Sequence, residues 1–553
     1  MKKIKFFIPI IALALFSCSD YLDINDNPNN VHFENVPPRL MLPGAMTNTF
    51  RTQAINMNEM GNILMNTWAG NVNSYASPYS KQYKLTVDNT FYNAIWDGLY
   101  RSVGNFDVII KYQNVDHQQD NFVAISKIMK AHYLQYIVDL YGKAPFSQAF
   151  LGQANLSPVY DDDFQIYKDL ITGLEEGRAT IANPNVNAID AAGADVIFHG
   201  DKDKWVRFAN TVELRMLMRM SNTTSAAVQT YRDAKLASIA AGPFVTTDVT
   251  INPGYDGSTD DKQNPFYGNF VFNTSAAATG RTLIVASGHI ARILNGGVAV
   301  IGGVPTAETN PNYSRYAGGI DSRRGRMFML VTPVSGGPSN VFGVVQGNSQ
   351  GDTPGPGTSR VSKIGAGVTN SISTSNSLAS AANAARSAAA SAKPGIVMLQ
   401  SESLFLQAEA ALRWPALFSA AQGNFEAGIT SSFAFYSNAV PTSPALNPAT
   451  YLTYISTKPG VGWPASATFD TKLEAIMFQK WLALTQIHGL ENYIDYIRTG
   501  YPWTPLASSV EQPNKPKRLM YPISEFVANS GNVPQLTDSD LFNVTTKSPF
   551  WLQ

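Results

Sequence analysis

The sequence predicts a mainly α-helical protein, a tetratricopeptide-like superhelix of paired helices that carries a loop-rich insertion. Two blocks of the chain have apolar residues spaced three or four positions apart, which is the spacing of one helix face. Between the blocks, residues 242–395 are rich in Gly, Pro, Ser, Thr and Asn, which favour turns and loops. A chain of 553 residues would suit several domains, but stacked helix pairs can reach this length as one unit.

The first helical block is expected at about residues 40–241. Its clearest helix is 121–141, where apolar residues recur every three or four positions, Asp120 is placed to cap the start and Gly142 to end it. The helices predicted in this block are 91–112, 121–141, 164–177 and 204–221.

The second helical block is expected at about residues 396–500, with helices at 397–412, 424–436 and 470–488. Small residues lie where a partner helix could approach, and these are Ala131, Ala408, Ala410 and Ala411. Helix pairs of similar length favour the tetratricopeptide-like arrangement, although the full repeat signature is absent from the sequence. The Ser/Ala/Asn-rich segment 369–392 is either a flexible loop or a helix.

The N-terminus has the pattern of a lipoprotein signal peptide. Lys2, Lys3 and Lys5 form a positive region, and residues 6–16 form an apolar stretch too short to span a bilayer. Cys18 follows directly, in a Leu-Phe-Ser-Cys sequence of the lipobox type. We therefore expect residues 1–17 to be removed and residues 18–553 to be held at a membrane by acylation of Cys18.

The composition narrows the range of partners. Because Cys18 is the one cysteine of the sequence, the acylated chain would have no thiol for a disulfide, a metal site or catalysis. Loss of three lysines with the signal lowers Lys+Arg from 41 to 38 against 41 Asp+Glu, a net charge of −3. Nucleic acid is therefore not an expected partner. With 15% charged and 11% aromatic residues, the surface suits neutral, hydroxyl-rich ligands.

Motifs of enzymes are weak in this sequence, and we predict no catalytic residue, no metal site and no cofactor. Residues 347–351 fit the G-x-S-x-G pattern, but Pro354 and further Pro and Gly residues follow where a nucleophile elbow needs a helix. The histidines lack the spacing of a metal site, and no phosphate-binding loop is present. The acidic run 161–163 is interpreted as a helix cap. The carboxylate pairs Glu175/Glu176 and Glu402/Glu409 are interpreted as solvated faces or helix packing.

Several segments resemble the SusD/RagB family of outer-membrane lipoproteins, and more closely its second SusD-like branch. The opening CSDYLDINDNPNN and the Gly-x-x-Pro-Phe corner that ends KIMKAHYLQYIVDLYGKAPF are similar to family motifs. The further matching segments, in family order, are residues 205–221, 401–414, 478–502 and 518–522. The middle region departs from the family, and only Asp321-Ser322-Arg323 is similar to its Asp-Pro-Arg corner.

The resemblance implies a tetratricopeptide-like scaffold whose loop-rich region forms the ligand face. It also implies a lid on a SusC-type TonB-dependent outer-membrane transporter, which captures an oligosaccharide, or alternatively a peptide, at the cell surface. Asp20 and Asp23 resemble the acidic signal that sends such lipoproteins to the outer face, although they also fit a solvated tail. The alternatives are a surface glycoside hydrolase or other envelope enzyme, and an isolated tetratricopeptide adaptor.

The ligand site is predicted on an aromatic loop at residues 68–79, with partners from the middle region. Sugars bind to flat aromatic faces and to short amides, and this loop contains both. The predicted ligand-binding residues are Trp68, Asn71, Asn73, Tyr75, Tyr79, Tyr313 and Tyr316. The alternative interpretation is that Trp68 closes the preceding helix and that the tyrosines cover the core.

Overall fold

A computed structural model describes residues 36–553, apart from 72–78, 276, 281, 302–303, 308–309, 334–335, 348–360, 370–380 and 439–443. Cys18, Asn73 and Tyr75 therefore lie outside the described residues, as does most of the G-x-S-x-G segment. The predictions made for these residues stay predictions.

The mainly helical fold is confirmed. The helices before the middle region are α1 Pro38–Thr52, which continues as a π-helical turn Gln53–Met57, α2 Asn58–Leu64, α3 Ser80–Lys84, α4 Asn93–Lys111, α5 Asp120–Tyr141, α6 Asp163–Ala182, α7 Lys202–Arg219 and α8 Ala226–Ile239. Those of the middle region are α9 Pro265–Phe270, α10 Gly288–Leu294, α11 Pro311–Ser314, α12 Arg324–Met327, α13 Ala366–Thr369 and α14 Ala381–Ser391. The last set is α15 Gln400–Arg413, α16 Ala421–Asn438, α17 Pro448–Ile455, α18 Phe469–Leu484, α19 Gly489–Thr499, α20 Ile523–Ala528 and α21 Asp538–Phe542.

Two helix ends differ from the prediction for identifiable reasons. The cap of α5 is Gln119 rather than Asp120, whose carboxylate instead accepts a hydrogen bond from Asn114 at 2.6 Å. Helix α6 continues through Gly177, because this glycine is a packing residue and not a stop. A Cβ there would lie 2.8 Å from the carbonyl oxygen of Ala124 on α5. Because glycine has no Cβ, α5 and α6 can approach closely at this point.

The helix predicted over 470–488 ends four residues early. Helix α18 ends at Leu484, the chain turns through Gln486 at φ +69°, and α19 begins at Gly489. A Cβ on Gly489 would lie 2.6 Å from the backbone nitrogen of Asn62, so α2 and α19 meet backbone to backbone. This contact places the turn at Gln486 deep in the molecule.

A network of buried ionised side chains joins the two helical blocks. Its cations are Arg215 and Arg219 of α7, Arg413 of α15, Lys480 of α18 and Arg498 of α19. Its anions are Asp139 of α5, Glu402 and Glu409 of α15, and Glu491 and Asp495 of α19. The five positive and five negative groups balance, which is what allows charges to be buried here.

The middle region is attached to the helices by short antiparallel strand pairs. Strand β1 Trp68–Gly70 pairs with β3 Ile284–Ala286, and β2 Val249–Ile251 pairs with β6 Gly395–Met398. A third pair, β4 Val298–Ile301 with β5 Val304–Ala307, belongs to the middle region alone. Each of the first two pairs thus ties a middle strand to a strand that adjoins a scaffold helix. Within the described part of the chain, no helix is long and apolar enough to cross a membrane.

Candidate ligand-binding face

Trp68 is a core residue in this structure. Its side chain is 0% exposed, and its ring contacts Phe270 edge-on with centroids 5.0 Å apart and lies 6.3 Å from Phe266. An indole so enclosed has no free face on which a sugar could stack. Trp68 would therefore support the predicted loop at 68–79 rather than contact the sugar.

Hydrogen bonds hold both ends of this loop. Before it, the backbone N–H of Asn71 donates to the carbonyl of Leu283 at 2.8 Å. After it, the buried Tyr79 donates its hydroxyl to Glu59 at 3.0 Å. Burial raises the pKa of Glu59, and the hydrogen bond from Tyr79 partly offsets this rise. The two ends are thus anchored in the protein, and Asn73 and Tyr75 lie between them, outside the described residues.

Tyr313 and Tyr316 form a second group. Both are buried, at 6% and 8% exposed. The hydroxyl of Tyr313 lies 3.1 Å from Nδ1 of His289, and Tyr316 stacks on Phe478 with centroids 5.2 Å apart. Because β3 pairs with Trp68 and leads directly into α10, which carries His289, one continuous segment links this group to the loop at 68–79.

Trp503 is the exposed aromatic residue of this second group. Its side chain is 43% exposed, while its ring contacts His289 at 5.6 Å and Tyr313 at 5.9 Å, both edge-on. The amide of Asn66, just before β1, donates to the carbonyl of Pro505 at 3.1 Å, which holds the segment beside β1. The sequence prediction missed Trp503. The neighbouring Pro502 and Pro505 indicate a loop there, but they do not show that the ring is exposed.

The charged groups near Trp503 lie around His289. Burial holds the pKa of His289 well below its usual value, and the nearby Lys515 and Arg292 lower it further, so this imidazole is neutral at pH 7. Burial, with Lys517 as a smaller contribution, lowers the pKa of Lys515 to about 7. The ammonium of Lys515 donates to the hydroxyl of Thr504 at 2.5 Å. The exposed ring thus lies beside a neutral imidazole, and Lys515 and Arg292 are nearby cationic side chains.

The carboxylate pairs of the sequence take structural roles. Glu402 and Glu409 are 0% and 1% exposed, and Glu402 pairs with Arg215 at 2.6 Å while Glu409 pairs with Arg498 at 2.5 Å. The helix-packing interpretation of this pair is confirmed. Glu175 is partly buried and pairs with Lys235 at 2.7 Å. Neither pair presents two free carboxylates to a substrate.

The acidic run at 161–163 is confirmed as a cap. The carboxylate of Asp162 accepts the backbone N–H of Gln165 at 3.1 Å, which satisfies a free donor of the first turn of α6. Across the described residues, no group of three or more His, Cys, Asp and Glu side chains is placed to hold a metal ion. His132 is completely buried on α5, as expected of a packed helix residue.

Two family models match the chain. One, described as starch-binding and associating with the outer membrane, matches residues 28–249. The other, described as SusD and RagB outer membrane lipoprotein, matches residues 356–547. The chain belongs to the SusD/RagB family. The family is one of outer-membrane lipoproteins, and one of the two descriptions names starch binding. A search of curated proteins finds no match to this SusD/RagB-family chain.

Solved structures of the family share the fold. A chitin-binding SusD homologue from Flavobacterium johnsoniae superposes with a TM-score of 0.65 at 21% identity, covering 93% of this chain and 98% of that one. A SusD homologue from Bacteroides uniformis gives 0.66 at 20% identity, with 93% and 99% covered. One from Parabacteroides distasonis gives 0.66 at 20% identity, with 94% and 98% covered. At these identities the similarity establishes the fold.

Proposed function

We propose that this SusD/RagB-family protein is a lipoprotein that is anchored in the outer membrane through acylated Cys18 and faces the cell exterior. There it binds an oligosaccharide and delivers it, as a lid, to a SusC-type TonB-dependent transporter. The family descriptions, which name starch binding and outer-membrane lipoproteins, support this proposal. The chitin-binding relative with the same fold supports a carbohydrate ligand.

The observation that carries the binding role is the setting of Trp503. Its indole is 43% exposed, yet the edges of His289 and Tyr313 fix its orientation. A ring held in place loses little conformational freedom when a ligand binds, and its face can receive the C–H groups of a sugar. We assign Trp503 to the ligand face together with the predicted residues, so that Trp503, Asn73 and Tyr75 would contact the sugar and the buried residues Trp68, Asn71, Tyr79, Tyr313 and Tyr316 would support it.

The enzyme alternative has less support. Hydrolysis of a glycoside needs two carboxyl groups that face the substrate about 5 to 9 Å apart. Glu402 and Glu409 form one of the carboxylate pairs considered from the sequence, and both are buried in ion pairs instead. A peptide remains the alternative ligand. The exposed face of Trp503 favours an oligosaccharide, whose C–H groups can stack on it.

Partnership with a transporter is tested by co-purification. The full-length protein with a C-terminal tag would be expressed in a bacterium that makes such lipoproteins, and membranes would be extracted with mild detergent. We expect a barrel transporter of the TonB-dependent class to be retained in near-equal amounts. Retention of a soluble partner without any barrel protein would favour the isolated tetratricopeptide adaptor and contradict the lid role.

A further inference from the structure

A small pocket and a larger cleft adjoin each other at the β2–β6 strand pair. The pocket has a volume of about 40 Å³, and the cleft one of about 300 Å³, at the lower end of small-ligand sites. Both are lined by Lys393, Pro394, Ile396 and Phe435, so they share a wall. Because Pro394 is exposed and Phe435 is half-buried, the shared wall faces solvent.

The pocket is lined mainly by apolar groups and by one amide with an unused acceptor. Its apolar lining includes Phe50, Phe266 and Phe435. Gln486 also lines it and is 0% exposed, and its Oε1 accepts no hydrogen bond from any described residue. The side-chain Nε2 donates to the carbonyl of Met327 at 2.8 Å, which fixes the amide orientation. A buried acceptor left unsatisfied is destabilising unless a water or a ligand supplies a donor.

The backbone of Gln486 is held in an unusual conformation. Its φ of +69° lies in the left-handed region, which residues other than glycine seldom adopt. Its N–H donates to Asn62 at 2.9 Å, and its carbonyl accepts from Asn58 at 2.8 Å. Two buried asparagines thus impose a strained turn that positions this amide. Strain maintained by its surroundings is found most often at functional sites.

The remaining groups define what the pair of cavities would bind. At the shared wall, the ammonium of Lys393 donates to the carbonyl of Val368 at 3.1 Å and lies 5.9 Å from the centre of the Phe435 ring. The cleft adds short polar groups, and these are Asp248, Thr250, Gln400, Ser431 and Asn438. A ligand that fits would have a hydroxyl-rich part in the cleft and a small group in the pocket. The small group would need an N–H donor, an acceptor and an apolar end.

We propose that the pocket binds the acetamido group of an N-acetylated sugar, with the sugar ring in the cleft beside it. The acetamido N–H would donate to Oε1 of Gln486, its carbonyl would accept from Lys393, and its methyl group would pack among the phenylalanine rings. The volume of about 40 Å³ holds about three water molecules, close to the size of this group. This inference rests on the proposed glycan-binding function and names a substrate class for it.

The test is calorimetry of the purified protein with two disaccharides, N,N′-diacetylchitobiose and cellobiose, which carries hydroxyls where the first carries acetamido groups. We expect the acetylated disaccharide to bind at least about tenfold more tightly, because cellobiose leaves the Gln486 acceptor and the apolar pocket unfilled. Equal affinities, or no binding of either disaccharide, would overturn the proposal.

Two sets of variants locate the site. Ile396→Phe fills the pocket from its half-buried wall and should weaken binding of the acetylated disaccharide about tenfold or more. The control is Ile523→Phe, the same change at a 41% exposed position on α20, which should leave that binding unchanged. Lys393→Met should weaken binding several-fold and Lys393→Gln, which keeps a donor, less so. Melting temperatures check that each variant is folded. Wild-type affinity in both Ile396→Phe and Lys393→Met would overturn the site.

The outcome separates this inference from the proposed function. If another oligosaccharide binds but N,N′-diacetylchitobiose binds no more tightly than cellobiose, the carrier role stands and the acetamido pocket fails. If no oligosaccharide of a broad panel binds to the wild-type protein, both fail.

Discussion

Nη2 of Arg219 donates to both carboxylate oxygens of Glu491, at 2.7 and 2.8 Å, and both side chains are completely buried. Arg219 ends α7 in the first helical block, and Glu491 lies in the first turn of α19 in the second. Burial alone would raise the pKa of Glu491, but Arg219, followed by Arg215 and Lys480, holds that pKa well below its usual value. The pair is therefore ionised and joins the two blocks of the scaffold.

Glu491→Gln is expected to destabilise the protein by about 3 kcal/mol, because it leaves the buried Arg219 with less compensating charge. The matched control is Glu511→Gln, which removes a surface pair to Lys84 at 2.7 Å whose side chains are 58% and 47% exposed. The control should cost less than about 1 kcal/mol. Urea unfolding of both variants measures the difference. Equal losses would show that the buried network is not a main contributor to stability.

Lys515 should make stability depend on pH. Burial lowers its pKa in the folded protein to about 7 from 10.5, so between these values the unfolded chain holds a proton that the folded protein has released. The free energy of unfolding therefore gains up to about 1.4 kcal/mol per pH unit as pH rises from 7 towards 10. In Lys515→Met this gain should disappear. Chemical unfolding of both proteins at pH 7, 8 and 9 tests it, and parallel pH profiles would contradict the assignment.

Trp503→Ala should weaken binding of the best oligosaccharide of a panel several-fold to tenfold, since a stacked aromatic ring contributes about 0.5 to 1.5 kcal/mol beyond its burial. Phe469→Ala is the control, because Phe469 is 44% exposed and its ring lies 5.6 Å from the guanidinium of Arg413, which is not a residue of the ligand face. Calorimetry on both variants and on Tyr75→Ala maps the face. Unchanged affinity in Trp503→Ala would remove this residue from the site, whatever Tyr75→Ala does.

Cys18→Ala should release the protein from the outer membrane or leave its signal uncleaved, because acylation of Cys18 is the proposed anchor. Ser17→Ala keeps a small residue before the cysteine and should remain anchored. Fractionation followed by immunoblotting compares the two. Wild-type amounts of Cys18→Ala in the outer membrane would contradict the anchor.

Much of the scaffold could be predicted because amphipathic spacing and family-like motifs are local features of the sequence. The helix over 121–141 is an example, since its cap region, apolar face and terminal glycine are contiguous. Gly177 and Gly489 were harder to interpret. The sequence does not distinguish a glycine that ends a helix from a glycine that lets two backbones come into contact. Only the structure around the glycine, which shows what packs against it, distinguishes the two.

The ligand face was less predictable because exposure is a tertiary property. Trp68 lies in a loop-like sequence but is enclosed by Phe266 and Phe270, which are about 200 residues away in the chain. Trp503 is exposed although it directly follows a motif of the scaffold. The pocket at Gln486 draws its lining from Phe50 to Ile487, and no local pattern brings such residues together.

Binding without turnover is the central claim, and it is tested by incubating the purified protein with a panel of oligosaccharides. Affinity would be measured by calorimetry and the recovered sugar analysed by chromatography. We predict saturable binding of at least one oligosaccharide, which is recovered intact after prolonged incubation. Release of shorter products, abolished by substitution of a single carboxylate, would show that the protein is an enzyme and contradict the proposed role as a nutrient carrier.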